Sequence, residues 1–264
     1  MAELRFYAEL NRFLAPQRRG RAFAHAAAPH ESVKHVVESL GVPHTEVALV
    51  LLGGEPVGLE HRPLRDGDRV AVFPAFRTLA PLQEAREPVP APPRFAADAH
   101  LGRLARYLRF AGYDTLFRND WPDAELVATA AAEDRMLLTR DRDLLMRREV
   151  RQGCYLHETE ALAQFRELAR RVGLAPEGGG AGRCMLCNAV LEPVPKAEVA
   201  AQLPPRTREH FDAFWRCPEC ARVYWRGSHW ERMRRELGAR EGGPAEKPVA
   251  ECGNFAHLRS LEKE

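Results

Sequence analysis

Nowhere in this 264-residue sequence is there a run approaching the roughly 20 consecutive apolar residues that a membrane-crossing helix requires. Its opening, MAELRFYAEL, lacks a basic head followed by an apolar stretch. No secretory signal is therefore predicted, and the cytosol is the expected compartment. Excess charge is missing too: a net +2 is too small for nucleic-acid binding through overall charge alone. Lysine is scarce, with Lys34, Lys196, Lys247 and Lys263 the only ones among 39 basic residues. Positive charge therefore rests on guanidinium groups, which suit phosphate and stacking, although a bias in coding composition explains the same excess. Six cysteines in a chain of this size do not suggest a disulfide framework.

What is present suits a folded chain of two or three units: 45% hydrophobic and 29% charged residues are ordinary for a globular protein. Residues 1–80 read as strand (ELRFYAEL), strand (GRAFAHAA), helix (SVKHVVESL), strand (VALVLLGG) and strand (DRVAVFP). Prolines 81, 88, 90, 92 and 93 predict a stiff linker over 81–93. Over 94–175, short strands (RFAAD, DTLFR, RMLLT, GCYLH) alternate with helical periods, which predicts a parallel sheet with flanking helices. The cysteine pairs fall in 183–233, and 234–264, rich in Gly, Glu and Arg, is expected to be a disordered tail.

Ligands of open parallel sheets sit outside the carboxyl ends of the strands. Asp98 ends the first strand of the middle segment, TRDRD after the third presents Asp141 and Asp143, and Glu125 opens the second helix. Such carboxylates suit Mg²⁺ or Mn²⁺. Asp is also a favoured N-cap, and both Asp98 and Asp141 stand just before helices, so capping explains either acid equally well. Arg103, Arg106, Arg140 and Arg142 add positive charge that a phosphate backbone would need beside acids. Leu101, Leu104, Ala105 and Leu108 share one helical face, so Arg109, off that stripe, is expected in solvent.

Cys184, Cys187, Cys217 and Cys220 form two CxxC pairs, the spacing that brings four thiolates to one tetrahedral Zn²⁺. Four cysteines close the shell, so this zinc is expected to be structural and the segment a small zinc ribbon. The aromatics Phe214, Trp215, Tyr224, Trp225 and Trp230 lie among arginines. They suit base stacking as well as they suit packing in a small core. His229 is expected to be packed or exposed rather than a ligand.

The segment ADAHLGRLARYLRFAGYDTLFRND, with DAELVATAAAEDRMLLTRDRDLL, CMLCNAVLEPV and FWRCPECARVYWRGSHWERM, resembles the Mut-seven C-terminal RNase family, a branch of the PIN-like nucleases. The resemblance covers about 94–233 and implies a PIN-like RNase domain over 94–175 that hydrolyses RNA, single-stranded by preference, with bound metal. It matches Asp98, Asp141 and Asp143 to the family's acids, and Glu125 to the helix acid, for which Asp120 and Asp123 compete. Residues 1–80 resemble the β-grasp, ubiquitin-like sulfur carriers through LRFYAEL, the helix after His30 and LRDGDRVAVFPAF. A carrier needs a free terminal Gly-Gly, whereas Val72–Phe76 runs on into the linker and Gly53-Gly54 falls in a hairpin. A docking or RNA-positioning module, able to bind a protein partner, is expected instead. The expected activity is thus a metal-dependent ribonuclease, with a non-catalytic RNA-binding or ribosome-associated adaptor as the alternative.

Overall fold

The structure, a computed structural model, describes residues 1–26, 28, 30–60, 63–74, 92–175 and 182–238. Residues 81–91 of the expected linker and 239–264 of the expected tail lie outside them. In chain order the elements begin β1 (Ala2–Phe6), β2 (Phe23–His25), α1 (Val33–Ser39), β3 (Leu49–Leu52), β4 (Glu55–Val57) and β5 (Arg69–Phe73). There follow β6 (Phe95–Ala97), α2 (Gly102–Phe110), β7 (Thr115–Phe117), α3 (Asp123–Ala132), β8 (Met136–Thr139), α4 (Arg142–Leu145), β9 (Gly153–Tyr155) and α5 (Ala161–Val172). The cysteine segment holds β10 (Glu192–Val194), α6 (Lys196–Val199), α7 (Pro205–His210), β11 (Phe214–Arg216), β12 (Val223–Tyr224) and α8 (Ser228–Glu236). No described helix is long and apolar enough to cross a membrane.

Two compact units partition these elements: Met1–Pro90 with Trp121–His157, and Ala91–Asp120 with Glu158–Glu264. The first unit opens with a mixed five-stranded sheet ordered β2-β1-β5-β3-β4, in which β1 pairs parallel to β5 and antiparallel to β2. Alternation in β1 buries Ala2, Leu4 and Phe6 while Glu3 and Arg5 face out. Ser32 caps α1 by accepting the His35 N–H, and Val33, Val36 and Val37 meet the sheet core. This is the expected β-grasp architecture. Gly53 and Gly54, with φ of 62° and 98°, form the two-residue turn joining β3 to β4, a conformation side chains resist. The strand β4, only Glu-Pro-Val, was not among those expected.

In the same unit β8 and β9 pair in parallel, and all four residues of β8 are buried, as in a sheet covered on both faces. The β-grasp segment meets this part closely. The 3-10 turn His44–Glu46 lies against β9: His44 Nε2 stands 2.9 Å from the Val150 carbonyl oxygen, and buried Glu46 accepts the Tyr155 N–H at 2.6 Å.

In the second unit β6 and β7 pair in parallel, and α2 packs against α5; Leu104 and Leu108 are buried in the one and Phe165 and Leu168 in the other. The strands β10, β11 and β12 form a small antiparallel sheet over Val194, Val199, Leu203, Phe214 and Trp225. Residues 234–236 of the expected tail are helical, because α8 runs on through Glu236. Glu236 accepts from the Tyr107 hydroxyl at 3.2 Å and, through its carbonyl, from Arg166 at 3.0 Å. The chain is thus parallel α/β, preceded by a β-grasp and followed by a segment whose cysteines fit a zinc ribbon.

Candidate functional site

Asp98 directly follows β6 and is 5% exposed. Its Oδ1 accepts the Ala99 N–H at 2.5 Å, capping the 3-10 turn Ala99–Leu101, and its Oδ2 lies 2.9 Å from Nε2 of His100. His100, exposed and two residues on, escaped the sequence reading; the only trace of it there is its place in Asp-Ala-His at a strand end. Asp141 stands two residues beyond β8 and caps α4, its Oδ1 accepting from Asp143 N at 2.8 Å and from Leu144 N at 3.4 Å. Thr139 supports the turn by accepting the Asp141 N–H at 2.9 Å. Both acids therefore cap. Asp143 is exposed, and Glu125 lies exposed in the first turn of α3. Its rivals are engaged with arginines, Asp120 with Arg118 at 3.7 Å and Asp123 with Arg147 at 3.8 Å. Asp98, Arg103 and Arg106 belong to one compact unit, and Glu125, Arg140, Asp141, Arg142 and Asp143 to the other.

Among the described residues, one group of three or more His, Cys, Asp or Glu brings its ligand atoms within 4.8 Å of one another: Cys184, Cys187, Cys217 and Cys220. Cys184 Sγ is 3.5 Å from Cys220 Sγ, and Cys187 Sγ is 3.4 Å from Cys217 Sγ. Such separations are far too long for disulfides. They approach the ~3.8 Å edge of a tetrahedron built with metal–sulfur bonds of about 2.3 Å. The two knuckles repeat one geometry. In each, the first cysteine N–H donates to the carbonyl five residues on (Ala189, Arg222), and its carbonyl accepts the N–H four residues on (Asn188, Ala221). Those fourth residues, Asn188 and Ala221, both have left-handed φ, at 73° and 56°. The four cysteines could hold a metal ion such as zinc.

Asn188 suits that backbone and uses its side chain, accepting the Thr115 N–H at 3.0 Å and donating to Asp114 at 2.7 Å. Ala221 gains nothing comparable from its side chain. Ala221→Gly is expected to stabilise the metal-loaded protein by about 1 kcal/mol, the cost of a left-handed non-glycine residue, read as a rise in melting temperature.

Electrostatics distinguish the sulfurs. Burial opposes ionisation of Cys184, but the Tyr224 hydroxyl at 2.9 Å and the N–H groups of Cys187 and Leu186 outweigh it and hold this thiol at about 7. Burial pushes Cys187 up to about 11, with the neighbouring Cys217 and Cys184 adding to the rise. Cys220 is pushed up by burial and by the same kind of sulfur neighbours. One negative charge thus disfavours the next, and a bound cation would reverse that order.

Residues 93–237 match the Mut7-C RNAse domain, and residues 1–80 match the Mut7-C ubiquitin domain. The first match covers more than half of the chain. This chain belongs to the Mut7-C RNase domain family. No curated protein and no solved structure matches it.

In this Mut7-C chain the arginines divide. Arg103 and Arg140 are exposed and Arg106 half-buried. The Arg142 guanidinium lies over the rings of Phe13 and Tyr155, at 5.3 and 5.9 Å, and its Nη1 donates to the Phe13 carbonyl at 3.5 Å. That places it against the Mut7-C ubiquitin-like segment. Arg109 is a correction: it is 3% exposed rather than solvated, because the first knuckle covers the side of α2 where it stands. Burial lowers its pKa to about 10, with the Cys184 and Cys187 charges opposing the fall. The ribbon aromatics serve packing. Tyr224, Phe214, Trp225 and Trp230 are buried, and Arg226 lies between Trp215 and Trp230 at 5.5 and 5.3 Å. His229 accepts from Arg232 at 2.8 Å, and burial, then Arg232, lowers its pKa, so it is neutral at pH 7.

Proposed function

We propose that this Mut7-C protein is a metal-dependent ribonuclease that hydrolyses phosphodiester bonds of single-stranded RNA. The family match over 93–237 carries the nuclease part of the proposal. What supports the residue assignment is that Asp98 directly follows the parallel strand β6 and Asp141 stands two residues beyond the parallel strand β8, at the strand ends where sheets of this class bind ligands. Asp98, Asp141 and Asp143 would hold Mg²⁺ or Mn²⁺, with Glu125 assisting, since carboxylate oxygens suit such hard cations. When bound, a cation of this kind supplies an activated water and offsets the charge that develops on phosphorus. His100 stands beside Asp98, its Nε2 2.9 Å from Oδ2 of that acid. Arg103, Arg106 and Arg140 would position the RNA backbone, while Arg142, stacked on Phe13 and Tyr155, contributes least. The four cysteines would hold a structural Zn²⁺, closed to chemistry because all four positions are sulfur.

Cleavage of labelled single-stranded RNA, with and without Mn²⁺, by the wild type and Asp141→Asn tests this. Asparagine caps a helix as well as aspartate, so the variant keeps α4 and removes only the negative charge. Metal-dependent cleavage should fall to the metal-free level in the variant. Equal cleavage by both proteins would remove Asp141 from the site. RNA bound but uncut by the wild type would favour the adaptor reading, which is consistent with Asp98 and Asp141 both serving as caps.

A further inference from the structure

Arg109, on α2, is enclosed to 3% exposure, and a guanidinium shut away to that degree must have acceptors around it. It has three, all carbonyl oxygens. Nε donates to Thr115 at 2.8 Å, and Nη1 donates to Met185 at 3.1 Å and to Leu186 at 2.7 Å. The last two lie between the ligating cysteines of the first knuckle. The Met185 carbonyl shares its peptide group with the Leu186 N–H, and the Leu186 carbonyl shares its own with the Cys187 N–H. Both of those N–H groups donate to the sulfur of Cys184. Two peptide groups therefore span the distance from guanidinium to sulfur, oxygen ends on the cation and N–H ends on the thiol. A cation on the carbonyl polarises an amide and strengthens its N–H as a donor.

Four thiolates around one divalent cation carry a net double negative charge, and here Cys184 and Cys217 are fully buried. Such a centre needs compensation that water cannot supply. The geometry points to Arg109 as the positioning residue of the four-cysteine centre: through the Met185 and Leu186 peptide groups it fixes the first knuckle in its metal-binding shape and offsets the charge of the filled site. This rests on the cysteines binding zinc and is independent of ribonuclease activity. The knuckle has other anchors, Asn188 to Thr115 and Asp114, and Arg183 to Asp114 at 3.7 Å, so it stays docked when Arg109 is changed. The role assigned to Arg109 is therefore separable from simple attachment.

Zinc affinity of the full-length protein, measured by competition with a chelator of known strength, tests the assignment. Arg109→Met keeps an unbranched apolar stem and removes the guanidinium with its charge and donors; it should lose about 10- to 100-fold in affinity, the usual effect of removing a partner behind the ligands. Arg109→Lys restores the charge but cannot reach both carbonyls as the fork does, so a loss near the lower end, about tenfold, is expected. Leu104→Val, in the same helix, loosens packing without touching either carbonyl and should leave the affinity at the wild-type value. Wild-type affinity in Arg109→Met, or an equal loss in Leu104→Val, overturns the assignment. Should Arg109→Met not fold, unchanged affinity in Arg109→Lys overturns it instead. A wild type that takes up no zinc sinks the zinc reading of the cysteines and this inference together, whatever its activity on RNA.

Discussion

Cys217→Ser is expected to strip the metal from the protein and unfold the cysteine segment. Cys217 is fully buried; its N–H donates to the Arg222 carbonyl at 2.9 Å, and its sulfur accepts the Cys220 N–H at 3.5 Å. A serine hydroxyl is a poor replacement for a thiolate and leaves three sulfurs for a site that needs four. Beyond its polar anchors to Asp114 and Thr115, the segment has little core of its own. Its cluster consists of Val194, Val199, Leu203, Phe214 and Trp225, with Phe211 and Val223 at the margin, and β12 is two residues long. A core so small does not offset the entropy of ordering its chain. Structural zinc sites supply apparent binding energies of about 10–16 kcal/mol near pH 7, and that energy is folding energy where the site does not exist in the unfolded chain. The checks are metal content and limited proteolysis: the variant should carry no zinc and be cut between residues 183 and 238, while the β-grasp segment survives. A variant that retains both zinc and protection would show that three sulfurs suffice.

Acid should have the same effect more gradually. Each thiol must lose a proton before it can hold the cation, and Cys187, at about 11 without metal, holds its proton firmly. Zinc retention falls as pH falls for that reason, and recovers on return to neutral pH.

Sequence logic reached this centre because cysteine spacing is local: two residues between thiolates set the knuckle whatever surrounds it. The parallel strands were legible for a similar reason, since β6 and β8 are short, largely apolar runs and each leads within two residues to an acid and a helical period. Arg109 escaped because what buries it lies 76 and 77 residues away. Helical periodicity correctly put it off the Leu104–Leu108 stripe, but periodicity cannot say that a second segment covers the other side. His100 and the role of Tyr224 were missed likewise: one is a partner of the acid rather than an acid, and the other, read as an aromatic for stacking or packing, places its hydroxyl 2.9 Å from the Cys184 sulfur. The strand β4 is too short, with a proline at its centre, to show any alternation.

Phe13→Ala is expected to loosen two segments at once. Phe13 is 4% exposed within the β-grasp core, and truncating a buried phenylalanine costs about 3–5 kcal/mol. Its ring also meets Tyr155 edge-on at 5.2 Å and His157 at 5.1 Å, and forms the platform for Arg142. The strand β9, which carries Tyr155, ends its sheet, so its outward backbone groups need partners. Glu46 accepts the Tyr155 N–H, and the side chain of Thr45 sits so near Gly153 that an added Cβ would lie 3.3 Å from its hydroxyl oxygen. The β-grasp segment thus covers the strand end, and glycine at 153 leaves room for it and, more tightly, for Leu145, which an added Cβ would meet at 2.5 Å. If that cover depends on Phe13, hydrogen exchange at the Tyr155 amide should accelerate in the variant along with exchange in β1 and β5. Faster exchange in β1 and β5 with Tyr155 unchanged would show that Glu46 and His44 hold the strand without the ring. In that case Arg142 loses one of its two stacking rings and keeps Tyr155, and α4 keeps its place, because Asp141 still caps it through Asp143 and Leu144.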